Sequence, residues 1–357
     1  MKARFGQGQA KPDTMDLHAS IDLRGQSMFA VRCAATLATL FATLLLCCSL
    51  ARADETPARS EFLRGEGMPY AAFDRLPHTE IKIAGASVLV GFAPGDLALS
   101  KAQVLAWVEH SAKVVSGYYG RFPVTSLRVL IVPVDGSGVR GGTTWAYRGA
   151  AIRLVLGSKA SEDDLKQDWM IVHEMVHLAL PQVGQQHNWL SEGLATYIEP
   201  IARVQAGDLT AQSIWAAMVR DMPKGLPKDG DEGLDQTHTW GRTYWGGAMF
   251  CLLADIEIRK QTGNRRGLRD ALRGVLAAGG NHESDWPIEQ VLAAGDKAAG
   301  VSVLSKLYAQ TATAAYAPDL ESLWNELGIQ RGPDGAVTFD DSKPLAKIRM
   351  AITRHQL

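Results

Sequence analysis

Residues 171–180 read IVHEMVHLAL, an apolar run interrupted by two histidines and a glutamate. An unpaired polar group costs about 2–7 kcal/mol to bury. A helix made from this segment must therefore turn His173, Glu174 and His177 towards a partner while its other residues enter a core. His173 and His177 stand at i and i+4, so both imidazoles project from one helical face. Two neutral imidazoles at that spacing suit a single Zn²⁺, with Glu174 beside them in reach of a bound water. Zinc brings the pKa of its water towards about 7, and a carboxylate can take that proton and hand it to a leaving amine. The bland alternative is a pair of surface or core histidines.

A catalytic zinc site needs a third protein ligand and an open position. The stretch NWLSEGLATY (Asn188–Tyr197) offers Glu192, fifteen positions after His177 and across a Pro/Gly turn that folds one helix back on the other. Ser191 or Asn188 is expected to cap this second helix. Gly193 and Ala195 are small enough to let the two helices come close. Taken alone, Glu192 also reads as a first-turn carboxylate favoured by the helix dipole.

Together, HEMVH…WLSEGLATY resembles the gluzincin metallopeptidases, in particular the aminopeptidase-like branch with a W-x-x-E-G-x-A-x-Y signature. The resemblance implies a bilobal, zincin-like α+β fold holding one Zn²⁺. It assigns His173, His177 and Glu192 as ligands and Glu174 as general base and acid. The segment TYWGGAMFCLLADI resembles the one after the catalytic helices in that branch. That makes Tyr244 the candidate donor to a tetrahedral oxyanion, with His238 and Tyr197 as competitors. In the relatives an edge strand before the catalytic helix pairs with extended substrate, and GGTTWAYRGAAIRLVLG occupies that place here. Gly142 would let a substrate backbone come close, and Thr143 and Trp145 follow as substrate-binding candidates, with Trp145 and Tyr147 expected on one side of the strand. A plain sheet edge with two packed aromatics is the alternative. The chain departs from the branch in two ways: the His177–Glu192 spacing is shorter, and GVRGGTTWAYRG carries no acid where a G-A-M-E-N-like motif would bind a substrate amine.

The rest of the chain sets the frame. Met28–Ala53 has Arg32 near its start, an apolar stretch from Cys33 to Leu50, and Ala51-Arg52-Ala53, the layout of a cleaved secretory signal peptide. An uncleaved membrane anchor is the rival for that stretch. Of four cysteines only Cys251 falls after it, so no internal disulfide is expected. The expected organisation is 1–53 as extension and signal, 54–160 as an N-terminal α/β lobe, and 161–357 as catalytic helices and a helical lobe. Strands are expected at Ser87–Phe92, Ser126–Val134 and Ala150–Gly157, and a helix capped by Ser100 between the first two. From Ser161 one helix should run through His177 and stop at Pro181.

A formal net charge of −1, from 37 basic and 38 acidic residues, gives no electrostatic reason to expect nucleic acid as a partner. These features point to a secreted or periplasmic zinc peptidase acting on peptide or protein, with no stable membrane span after signal cleavage. The alternatives are a non-catalytic envelope-assembly protein on a peptidase-like fold, or a zinc hydrolase of a non-peptide ester or amide.

Overall fold

The computed structural model describes residues 61–62 and 67–355; the signal peptide and the rival anchor fall in residues 1–53, outside the described residues. No helix among the described residues is long and apolar enough to cross a membrane.

The first lobe is a five-stranded sheet with strand order β1-β2-β3-β5-β4, built from β1 (His78–Ile83), β2 (Ala86–Phe92), β3 (Ser126–Val134), β4 (Val139–Trp145) and β5 (Ala151–Gly157). The central strands β2, β3 and β5 run parallel, and β1 and β4 pair antiparallel to their neighbours at the two edges. Parallel strands need both faces covered, which is why β3 reads as a near-continuous apolar run. Helix α1 (Lys101–Tyr119) crosses between β2 and β3 and packs Val104, Val108, Ala112 and Val115 into the main core with Val129 and Ile152. Ser100 opens α1 with a capping box, its hydroxyl accepting from the Gln103 N–H. The opposite sheet face is sealed by a second cluster that includes Phe62, Tyr70 and Phe73 with Leu130, Val132 and Ala151.

After Gly157 the chain turns helical and makes the second lobe, so the architecture is bilobal α+β. The expected single helix from Ser161 is two. Helix α2 (Glu162–Gln167) ends at Asp168, whose ψ of 136° is extended, and α3 (Met170–His177) starts afresh. The Asp168 carboxylate accepts the Ile171 N–H at 3.1 Å, so this short acid captures a backbone donor and re-aims the chain. Helix α4 (Asn188–Ala206) begins earlier than expected and has no side-chain cap; Ser191 sits inside its first turn. Then come α5 (Ala211–Asp221), a π-helical turn (Gly241–Gly246), α6 (Gly247–Gln261), α7 (Leu268–Ala277) and α8 (Ile288–Ala299). A small hairpin pairs Ile329–Arg331 with Val337–Phe339 near the end. The far end of α4 is tied to the last helix, where Gln205 donates to the Ile352 carbonyl at 2.9 Å.

Candidate metal centre

All seven residues from Ile171 to His177 are buried, so α3 has no solvent face. Its two histidines instead meet the first turns of α4. His173 Nε2 lies 3.3 Å from Glu192 Oε2, and His177 Nε2 lies 3.6 Å from the same oxygen. One ligand atom from each of the three residues falls within 4.8 Å of the others. Tetrahedral zinc with arms of about 2.0–2.1 Å sets its ligand atoms about 3.3 Å apart, so this donor set fits zinc. His177 Nδ1 is 2.9 Å from the Ser191 hydroxyl, which orients the ring and leaves Nε2 facing the cluster. Burial, helped by neighbouring His173, pushes the His177 pKa down to about 3, so its lone pair stays free of protons. Burial would raise the Glu192 carboxyl, but the His173 hydrogen bond and the neighbouring imidazoles outweigh it and hold Glu192 below the usual range.

The geometry explains the W-x-x-E-G-x-A-x-Y pattern around Glu192. Trp189 is fully buried and donates its indole N–H to Asp235 at 2.7 Å, where His187 (2.8 Å) and the Tyr308 hydroxyl (2.6 Å) also converge. Tyr197, equally buried, donates its hydroxyl to Asp255 at 3.0 Å. Both aromatics thus pin α4 rather than face the cleft. Gly193 does not serve the approach of α3 and α4, as its size suggested. A Cβ there would lie 2.3 Å from the Gly247 carbonyl carbon, so the glycine lets α4 touch the backbone at the start of α6.

Glu174 leans on the edge strand. Thr144 Oγ1 donates to its carboxylate at 2.7 Å and is 2.9 Å from its backbone carbonyl. A Cβ on Gly142 would sit 2.7 Å from Glu174 Cγ, so only glycine leaves room for this side chain. Burial raises the Glu174 carboxyl above its ordinary value, opposed by the Thr144 hydrogen bond. Gly142 and Thr144 therefore share the strand face turned to α3. Thr143 and Trp145 belong to the other face: the Thr143 hydroxyl bonds the Gly142 carbonyl, and Trp145 packs on the second core with Arg153 over its ring at 5.0 Å. Period-two alternation thus takes the Trp145 side chain away from the cluster, while Gly142 and Thr144 line the cleft and Thr143 meets it at the exposed strand edge. Tyr147 lies beyond the strand, 57% exposed, with its hydroxyl on the Met68 carbonyl.

Tyr244 stands in the π turn, its ring stacked 6.5 Å from His173 and its hydroxyl within electrostatic reach of Glu192. Burial and the Glu192 charge push its pKa up to about 12, so it remains a donor. Single π turns recur at functional sites, and this one is seated backbone to backbone. A Cβ on Gly241 would meet the Lys224 carbonyl oxygen at 2.4 Å, and one on Gly225 the Trp245 carbonyl carbon at 2.3 Å. Of Tyr244's two competitors, Tyr197 is the buried pin described above. His238 is exposed and lines an adjoining chamber rather than the cluster's cleft.

The cleft over the cluster encloses about 390 Å³ and is also lined by Trp169, Asn188, Ser191 and His282, which sequence reasoning missed. His282 arrives from the turn after α7, its N–H donated to the Leu178 carbonyl at 3.1 Å. No local spacing links it to α3. Beyond Asn188, Ser191 and His282 the cleft opens into a chamber of about 640 Å³ walled by Gln182, Val183, Gln185, Gln186 and Thr243.

No family model matches the sequence, and no curated protein matches it. Among solved structures, the fold matches an aminopeptidase N family protein from Idiomarina loihiensis with a TM-score of 0.55 at 14% identity, over 71% of this chain and 49% of that one. The chain shares that protein's fold over this span. An M1 zinc metallopeptidase from Deinococcus radiodurans matches at a TM-score of 0.44 and 15% identity, over 68% of this chain and 52% of that one. The chain spans about half the length of these neighbours.

Proposed function

We propose that this chain is an exported zinc-dependent peptidase that cuts inside polypeptides. The observation that carries the reading is the convergence of His173, His177 and Glu192 within 4.8 Å, beside a Glu174 carboxylate held by Thr144 at the wall of an open cleft. His173, His177 and Glu192 would hold a zinc ion, which when bound would supply Lewis acidity towards a scissile carbonyl and a water. Glu174 takes the attacking water's proton at its carboxylate and returns it to the leaving nitrogen, a role its raised pKa suits. The Tyr244 hydroxyl donates to the oxyanion as the carbonyl becomes tetrahedral. The free edge of β4 accepts extended substrate backbone on one side of the cluster, and the amide-walled chamber receives the chain on the other. Two exposed indoles, Trp169 (49%) beside His173 and Trp240 (60%) over Tyr244, give an apolar rim. Room on both sides of the cut is what supports internal cleavage. Export rests on the signal-like segment ending at Ala53.

The test is metal analysis of the purified mature chain, paired with mass spectrometry of peptides blocked at both ends. One zinc per chain and internal cuts that vanish in Glu174→Gln are expected. Zinc without hydrolysis of any peptide would overturn the peptidase reading. Release of single N-terminal residues, with blocked peptides inert, would keep the peptidase and overturn internal cleavage.

A further inference from the structure

Where α6 gives way to α7, a cavity of about 230 Å³ is lined by Arg259, Asn264, Arg265, Arg269, Asp270 and Arg354. Arginine stays protonated at any pH the fold survives, so four cations converge on one small space. Two carboxylates lie nearby, Asp270 in the lining and Asp255 behind Arg259, so the four guanidinium charges outnumber them two to one. Asp270 accepts the Gly267 N–H at 2.9 Å as a helix cap. Asp255 takes Arg259 Nε at 2.8 Å, the Leu268 N–H at 2.9 Å and the Tyr197 hydroxyl at 3.0 Å. Arg265 turns its Nε to the Thr262 carbonyl at 2.9 Å. Arg269 reaches Gln205 at 3.5 Å, and its Nε is buried with no hydrogen-bond partner among the described residues. Arg273, beside this space, is held below its usual pKa by burial and then by the Arg269 charge, with Asp270 opposing the shift.

We propose that this cavity binds a dianionic phosphoryl group, as free phosphate or as a small phosphomonoester. Like charges gathered round a cavity repel unless an anion fills it, and guanidinium forks match phosphoryl oxygens two at a time. A planar carboxylate saturates one fork; a tetrahedral phosphoryl group offers oxygens to several. The site is separate from the metal cluster and independent of the peptidase reading.

Calorimetric titration of the full mature chain at fixed ionic strength tests it, with inorganic phosphate, glycerol phosphate and, as control anion, acetate. Saturable one-to-one phosphate binding is expected, acetate binding is not, and Arg269→Gln and Arg354→Gln should each weaken phosphate about tenfold or more, the scale of one lost charged hydrogen bond. Arg354 is exposed near the chain end, so its replacement leaves folding intact, checked by thermal melting. Glycerol phosphate binding as tightly as phosphate would assign the site to an esterified headgroup; preference for the inorganic ion would assign it to free phosphate. The proposal falls if no saturable heat appears, if both arginine variants bind like wild type, or if His177→Ala abolishes binding and so moves the anion to the metal centre.

Discussion

Replacing Gly193 by alanine should slow turnover without removing the metal. The new methyl would stand 2.3 Å from the Gly247 carbonyl carbon and 2.4 Å from its Cα, where ordinary contact begins at about 3.4 Å. Both obstacles are backbone, so α4 and the start of α6 must separate by about 1 Å. Overpacking of this kind costs about 1–3 kcal/mol, and each kcal/mol lowers Tm by about 2–4 °C in domains approaching this size. The same movement draws Tyr244, on the adjoining π turn, away from Glu192 on α4. A misplacement of about 1 Å can cost about 10²-fold in rate. Thermal melting, zinc analysis and kcat on a blocked peptide should therefore show a Tm lower by several degrees, one zinc per chain and kcat down about 100-fold. Gly117→Ala serves as the control: it lies within α1 with nothing near the added carbon, so it should be neutral or stabilising by about 0.5–1 kcal/mol. Wild-type melting and turnover in Gly193→Ala would refute the close backbone seat.

Other outcomes follow from the same contacts. His177→Ala should leave the purified chain without stoichiometric zinc, and equal zinc in both proteins would sink the ligand assignment. Tyr244→Phe should lower kcat about 10²–10³-fold with KM far less changed; an unchanged kcat would remove Tyr244 from the oxyanion. Thr144→Val should lower kcat by freeing Glu174 to wander, and Thr144→Ser, which keeps the hydroxyl, should restore most of it; equal rates in both variants would deny Thr144 its orienting part. Glu199, buried against Arg203, has its pKa raised to about 7 by burial despite that partner. A carboxyl raised in the fold binds its proton more readily there than in the unfolded chain, so its contribution is present at low pH and lost as pH rises through about 7. Denaturant melts from pH 5 to 8 should show Glu199→Gln gaining on wild type as pH rises; parallel curves would refute it.

Much of this was legible because local rules and tertiary needs agreed. Ser100 and Gln103 announce α1 by a capping box, and apolar runs between Gly and Pro mark β3 and β5. The pairing of His173 with His177 was legible because i, i+4 spacing is a property of any helix, and the structure brings Glu192 to the same place. Illegible parts depended on which face a strand turns inward. Reading the β4 segment forward gave Thr143 and Trp145, but the pleat hands the Glu174 contact to Thr144, one residue between them. The polar strand HTEIKI escaped notice because as an edge strand it is mostly exposed. The break at Asp168 hid inside a helical composition, since one side-chain hydrogen bond decides it. His282 and Gly247 are set by contacts from distant parts of the chain.

The helix that carries Glu192 is fastened at both ends by residues far downstream. Trp189 hangs on Asp235, which Tyr308 also grips, and Gln205 is tied to Ile352. During synthesis, His173, Glu174, His177 and Glu192 are all made long before Tyr308 and Ile352. A nascent or truncated chain ending before Tyr308 holds all four of these residues and the Trp189–Asp235 bond, but lacks the Tyr308 grip on Asp235 and the Ile352 tie to Gln205. Removing the segment from Tyr308 to Ile352 would therefore leave His173, Glu174, His177 and Glu192 all in the chain while loosening the helix that presents Glu192.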